Sequence, residues 1–261
     1  MSGKNLDKGQ NLKLDKIVNS SGNIDENGDF IGFNPQKTLY GAVAGAAGAK
    51  GLKSLQKLAT KYPQAQAVLN KIQVKNDIIP ALKQGKKMNE QDIIKALENS
   101  PQKGRDMLAI GKENLSENVL EWALKNNKKI AVDILPDEIA KKLGFKYPNV
   151  KRTIGANEIE HTLNRHGENS QLVKHSGQKP VTLADMRKWT DYADEAEFHT
   201  TSKDNLGQDI VLSAKQINGY YVVIESIRRK VNELGFKDMY FENGDLLNHK
   251  DFKKFKKTRI N

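Results

Sequence analysis

Apolar and polar positions change rhythm twice along this chain. Residues 1–36 carry few apolar positions and many Asn, Gly, Lys and Asp, and predict a flexible leader. Within it, IDENGDFI (24–31) centres on Asn27-Gly28, a hairpin turn signal. A calcium loop fits worse, because the glycine sits one place early and no bidentate glutamate follows. Residues 37–146 predict a small all-helical domain. Pro63 starts a helix there, and NEQDIIKALENS (89–100) opens on an Asn cap. NLSENVLEWALKNN (114–127) places Leu115, Val119, Leu120 and Leu124 near helical spacing. LPDEIAKKLGF (135–145) has Pro136 near its start and Gly144 at its end, as a short helix requires.

Tyr147-Pro148-Asn149 breaks this pattern. GANEIEHTLNRHG (155–167) then reads as a helix. VTLADMRKWTDYADEA (181–196) reads as a second one, capped by Thr182 with Asp185 facing back. After them the period shortens to two. EFHTTS (197–202), DIVLSAKQI (209–217), GYYVVIESI (219–227) and GFKDMYFE (235–242) are strand-like, and Asn218-Gly219 marks a hairpin between the middle two. Helices followed by a run of strands make residues 147–261 a domain of two helices and a roughly four-stranded antiparallel sheet. The fold class is α+β.

Charge narrows the partners. The net is +11, which favours polyanions such as nucleic acid or anionic lipid. Residues 1–150 hold 24 Lys+Arg against 16 Asp+Glu, and residues 151–261 hold 19 against 16. The C-terminal part is therefore no uniform basic clamp, and any RNA contact there is by local patches. With no cysteine, disulfides, thiolate zinc sites and thiol nucleophiles are excluded. No secretory signal is visible in the first residues, which are polar and lack an apolar core, and the most apolar stretch, TLYGAVAGAAGAKGL (38–52), is too short and too rich in Ala and Gly for a stable membrane span. Its Gly41 and Gly45 suit close helix packing, and leave a membrane-active role open.

Nucleotide-binding loops, serine-hydrolase elbows and zinc-protease helices are absent. What remains is H-T-L-N-R-H-G. On a helix His161 and Arg165 share one face, Ile159 and Leu163 form the apolar one, and His166 projects close to the apolar side. The two histidines do not meet on an ideal helix. They converge only if the helix ends at His166, where Gly167 is a natural terminator and the negative helix pole attracts a charged imidazole. Such a group can ligate phosphate or act as an acid. The same residues also fit a packing histidine beside a solvated face. An H-N-H metal nuclease lacks its hairpin frame here, and no metal or cofactor is expected.

The H-x-x-x-R-H-G helix, a second helix and an antiparallel sheet carrying Lys215 and Met239-Tyr240 resemble the barnase–EndoU–colicin D–RelE group of metal-independent ribonucleases, in its phage and mobile-element branch. The resemblance covers about residues 150–245. It implies endoribonuclease chemistry: the 2′-hydroxyl attacks phosphorus, leaving a 2′,3′-cyclic phosphate and a 5′-hydroxyl. It implies His161 and His166 as the acid–base pair, Arg165 or Lys215 as the phosphate clamp, and Tyr240 as a further donor. Glu225 and Ser226 are lesser substrate-binding candidates, since alternation lets only one of them face a site. Thr200, with Thr201 and Ser202, offers further hydroxyls. The tail KDFKKFKKTRIN (250–261) adds Lys254 and Lys257 for an RNA backbone, while its Phe252 and Phe255 equally suit packing. The resemblance further implies RNA, tRNA among the possibilities, as partner, and a cognate immunity protein or antitoxin. The site of action would be the cytoplasm of a producing or target bacterial cell, reached in the second case by delivery within a larger effector. The alternative is a non-catalytic nucleic-acid-binding phage or mobile-element protein.

Overall fold

The computed structural model describes residues 22–24, 30–33, 60, 66, 69–70 and 73–253. The chain divides into two compact units, Met1–Ile78 and Ile79–Asn261. In the first, β1 (Gly22–Ile24) pairs antiparallel with β2 (Phe30–Phe33), the two strands that the Asn27-Gly28 signal asks for. The Gly41/Gly45 segment and the tail from residue 254, with Lys254 and Lys257, lie outside the described residues.

The second unit begins with helices α1 (Ile79–Lys83), α2 (Glu90–Glu98) and α3 (Glu117–Lys125). The Asn89 side chain accepts from the Asp92 N–H at 2.9 Å, the expected cap. Val119, Leu120 and Ala123 bury one stripe of α3. Then comes β3 (Lys129–Ile134), followed by α4 (Asp137–Lys142) and β4 (Lys151–Gly155). From β4 the chain enters α5 (Ala156–His166) directly. α6 (Gln171–Ser176) occupies part of the loop that follows. The second expected helix is split into α7 (Leu183–Met186) and α8 (Trp189–Asp194), and Thr182 and Asp185 close a capping box at its start. β5 (Phe198–Lys203), β6 (Asp209–Ile217), β7 (Gly219–Arg228) and β8 (Glu233–Glu242) complete the unit.

The α+β class holds, but the sheet differs from the expected one. It has six strands in the order β3-β4-β8-β7-β6-β5, and it is mixed, because β4 runs parallel to β8. Two of its strands, β3 and β4, add to the four expected. β3 falls in the range expected to be all-helical. Its Ile130, Ala131 and Val132 are buried in succession, and so short an apolar run has no period that separates strand from helix. β4 opens on Lys151 and Arg152, which look like surface residues in sequence. Both are buried here, and Arg152 meets its counter-charges only through tertiary contacts.

Register sorts the side chains of this sheet onto two faces. Asp238, Ile224, Leu212 and Thr200 lie in one row across β8, β7, β6 and β5, and Tyr240, Val222, Ala214 and Phe198 in the next. This face carries α5 and a cluster containing Leu212, Ala214, Val222, Leu246 and Phe252. The opposite face carries Phe241, Tyr221 and Lys215, and α8 packs there through Trp189 on Phe236 and Tyr192 on Tyr221. Arg152 anchors that side. Its guanidinium contacts Glu225 at 3.1 Å and Asp194 at 2.6 Å, and stacks over Trp189.

Candidate functional site

α5 delivers the two histidines. Ile159, Thr162 and His166, spaced three and four apart, are its buried line against the sheet. Burying Ile159 fully contributes about 1.5–3 kcal/mol of hydrophobic stabilisation, which holds the helix in one rotation. The helix ends at His166. Gly167 follows with φ −77° and ψ 174°, so no left-handed turn is involved. Glycine is needed there for a different reason: a Cβ would stand 2.4 Å from the Leu163 backbone oxygen.

Both histidines reach one carboxylate. His166 Nε2 is 3.4 Å from Asp238 Oδ2, and His161 Nε2 is 3.7 Å from the same atom. The other oxygen, Oδ1, accepts from Thr162 Oγ1 at 3.1 Å and from the Met239 N–H at 2.9 Å. Asp238 is thereby fixed with one oxygen spent on its own scaffold and one turned to the imidazoles. His161 is exposed, whereas His166 is buried and its Nδ1 has no hydrogen-bond partner among the described residues. Tyr240 stacks on His166 with ring centroids 5.2 Å apart. Its hydroxyl in turn meets His249 Nε2 at 3.1 Å.

Of the residues named from sequence, His161, His166 and Tyr240 converge. Arg165 is exposed in the last turn of α5, between the two histidines in sequence. Lys215 does not join them. It pairs with Tyr221, which pairs with Phe241, so it stands on the opposite face of the sheet from Tyr240. Glu225 also faces that side. Burial pushes its carboxyl up, and the Arg152 guanidinium opposes that shift. Arg152 stays charged because Glu225 and Asp194 outweigh the desolvation of its guanidinium. Ser226 takes the same side of β7 as Ile224, as alternation requires, but its hydroxyl is buried. Thr200 shares the Asp238 row three strands away, roughly 14 Å at ~4.8 Å per strand. Thr201 and Ser202 line a separate cleft of about 440 Å³ with Lys142, Lys203, Asp209 and Arg229, apart from the histidines.

Sequence reasoning missed Asp238 and His249. A lone carboxylate inside the apolar run GFKDMYF was the available signal for Asp238, since a buried charge in a strand needs partners. His249 had no such signal. It lies in the polar stretch after β8 and reaches Tyr240 only because the turn Leu246–Asn248 folds back onto the sheet. Among the described residues no group of three His, Asp or Glu side chains is arranged to hold a metal ion.

Residues 129–249 match the model of the family described as phage-Barnase-EndoU-ColicinE5/D-RelE like nuclease3. The match begins on the first residue of β3 and ends on His249, so it spans the whole sheet and the site on it. The C-terminal part of the chain thus carries the family resemblance seen in its residues. No curated protein and no solved structure matches the chain. Among the described residues no helix is long and apolar enough to cross a membrane.

Proposed function

We propose that the C-terminal part of this chain is a metal-independent endoribonuclease. The carrying observation is that His161 and His166 share the Asp238 carboxylate beside Tyr240, in a region matched by a nuclease family. In this reading one imidazole takes the proton of the RNA 2′-hydroxyl as its oxygen bonds to the adjacent phosphorus. The other gives a proton to the departing 5′-oxygen. The products are a 2′,3′-cyclic phosphate and a 5′-hydroxyl. Asp238 holds both rings through one oxygen and steadies whichever is charged. Arg165 is the cation nearest in sequence to the pair, and is assigned to the phosphate. Tyr240 donates to the charge that builds on the phosphorane. Lys254 and Lys257 supply backbone contacts, tRNA being one possible substrate. Action in the cytoplasm of a producing or target bacterial cell, restrained by an immunity protein or antitoxin, belongs to the same proposal.

The burial of His166 is the one observation that favours a non-catalytic nucleic-acid-binding protein, since packing alone would explain it. Cleavage assays separate the two. The purified full chain is expected to cut RNA oligonucleotides in EDTA and to leave intact the same oligonucleotides made with 2′-deoxyribose. A strict need for divalent metal, or equal cleavage of the deoxy substrate, overturns the ribonuclease reading. Replacing exposed His161 by Ala is expected to lower the rate roughly 10²- to 10⁴-fold while the fold stays intact.

A further inference from the structure

Tyr240 and His249 form a hydrogen bond whose direction can be worked out. His249 Nδ1 accepts from the Asp251 backbone N–H at 3.3 Å, which is nearer to it than the Asp251 carboxylate oxygen at 3.7 Å. A nitrogen that accepts carries no proton, so in the neutral ring the proton sits on Nε2. Nε2 is the atom that lies 3.1 Å from the Tyr240 hydroxyl oxygen. His249 is therefore the donor in that pair and Tyr240 the acceptor. The tyrosine keeps its own hydrogen, free to point away from His249.

We infer that His249 is a positioning residue which leaves Tyr240 free to donate a hydrogen bond beside His166. The substrate-facing part of this inference, donation to a phosphate oxygen, rests on the ribonuclease reading above. The orientation of the pair does not. Packing holds the donor in place: the His249 ring lies 5.4 Å from Phe252 and 6.2 Å from Tyr220, and Phe252 is fully buried. Ionisation favours the same arrangement. Burial, opposed by Asp251 and Glu242, pushes the His249 imidazole below its ordinary range and keeps it neutral. Burial, and then Tyr220, Glu242, Asp238 and Asp251, push the Tyr240 hydroxyl well above its own, so it stays protonated and cannot serve as a base. If His249 did take up a second proton, Nε2 would still donate.

Two measurements on the full chain test this. Nitrogen-15 shifts of labelled His249 are expected to show the Nε2–H form, and a neutral Nδ1–H form overturns the inference whether or not the protein cleaves anything. In RNA cleavage, His249→Phe keeps an aromatic ring but no donor. It is expected to lower kcat roughly 5- to 20-fold with KM nearly unchanged, and His249→Gln, whose amide nitrogen sits near the Nε2 position, to recover part of the loss. In a Tyr240→Phe background His249→Phe is expected to add nothing further. An equal loss in that background means that His249 is merely structural, and also overturns the inference. A wild-type chain that cleaves no RNA sinks the ribonuclease reading instead, and the nitrogen shifts then still decide the orientation.

Discussion

Asp238 shows how a single buried carboxylate can organise polar side chains from another element. It sits on β8, yet its partners are Thr162, His161 and His166 of α5. A buried carboxylate left without partners is costly, and here the Met239 N–H and Thr162 satisfy one oxygen while the imidazoles take the other. Asp238→Asn keeps the shape and an oxygen for Thr162 but removes the charge. It is expected to lower kcat roughly 10²-fold with KM within a few-fold, measured by steady-state RNA cleavage. An unchanged kcat would remove Asp238 from the site and leave His161 and His166 as neighbours without a common partner.

At the scale of an element, the end of α5 decides whether the site exists. The last turn stops at His166, and the Gly167 N–H caps it by donating to Leu163 O at 2.9 Å. A side chain at 167 has no room, since its Cβ would meet the Leu163 backbone oxygen. Backbone on backbone cannot be relieved by a rotamer change, so the turn must open and carry His166 with it. Gly167→Ala is expected to cost about 1–3 kcal/mol in denaturant unfolding. It should also slow cleavage by up to roughly 10²-fold, because a displacement near 1 Å suffices for that. A variant with both the unfolding midpoint and the rate of the parent would show that the helix end is not held as described. Gly219 is constrained in a similar way at the β6–β7 turn, with φ +84° and the Glu242 oxygen where a Cβ would go.

For the whole unit, the six-stranded sheet separates two tasks. One face holds the histidine site, while the other holds the Arg152–Glu225–Asp194 ion cluster and the Trp189 packing. Beyond them, Asp209 ties strand β6 to Lys203 and Arg229. Its hydrogen bonds to Lys203 and then Arg229 hold the carboxyl down to about 2. A folded-state value below the unfolded one, near ~3.9, gives stability that is present above about pH 4 and lost as pH falls toward 2. Asp209→Asn is therefore expected to flatten the acid side of the stability curve between about pH 4 and 2, followed by unfolding at a series of pH values. Parallel acid limbs in parent and variant would mean that Asp209 is not held ionised by the fold.

The local sequence determined most of the elements and the candidate groups. Asn218-Gly219, the Thr182–Asp185 box and the stop at Gly167 are short-range features, set by turn chemistry and backbone sterics within a few residues. The residues His161, His166 and Tyr240 could be picked out for the same reason: their side-chain types suit proton transfer wherever the chain puts them. The tertiary structure decided which of them meet. Alternation tells which neighbours on one strand share a face, but not how that strand is registered against the next, so Lys215 could be placed opposite Tyr240 only once the β6–β7–β8 pairing was known. β3 and β4 became strands through long-range pairing, and Arg152 became a core residue because Glu225 and Asp194 come to it from other elements. Asp238 and His249 were hidden for this reason too. Each meets a partner distant in the chain or held by a fold-back, and such partnership is a property of packing rather than of any local pattern.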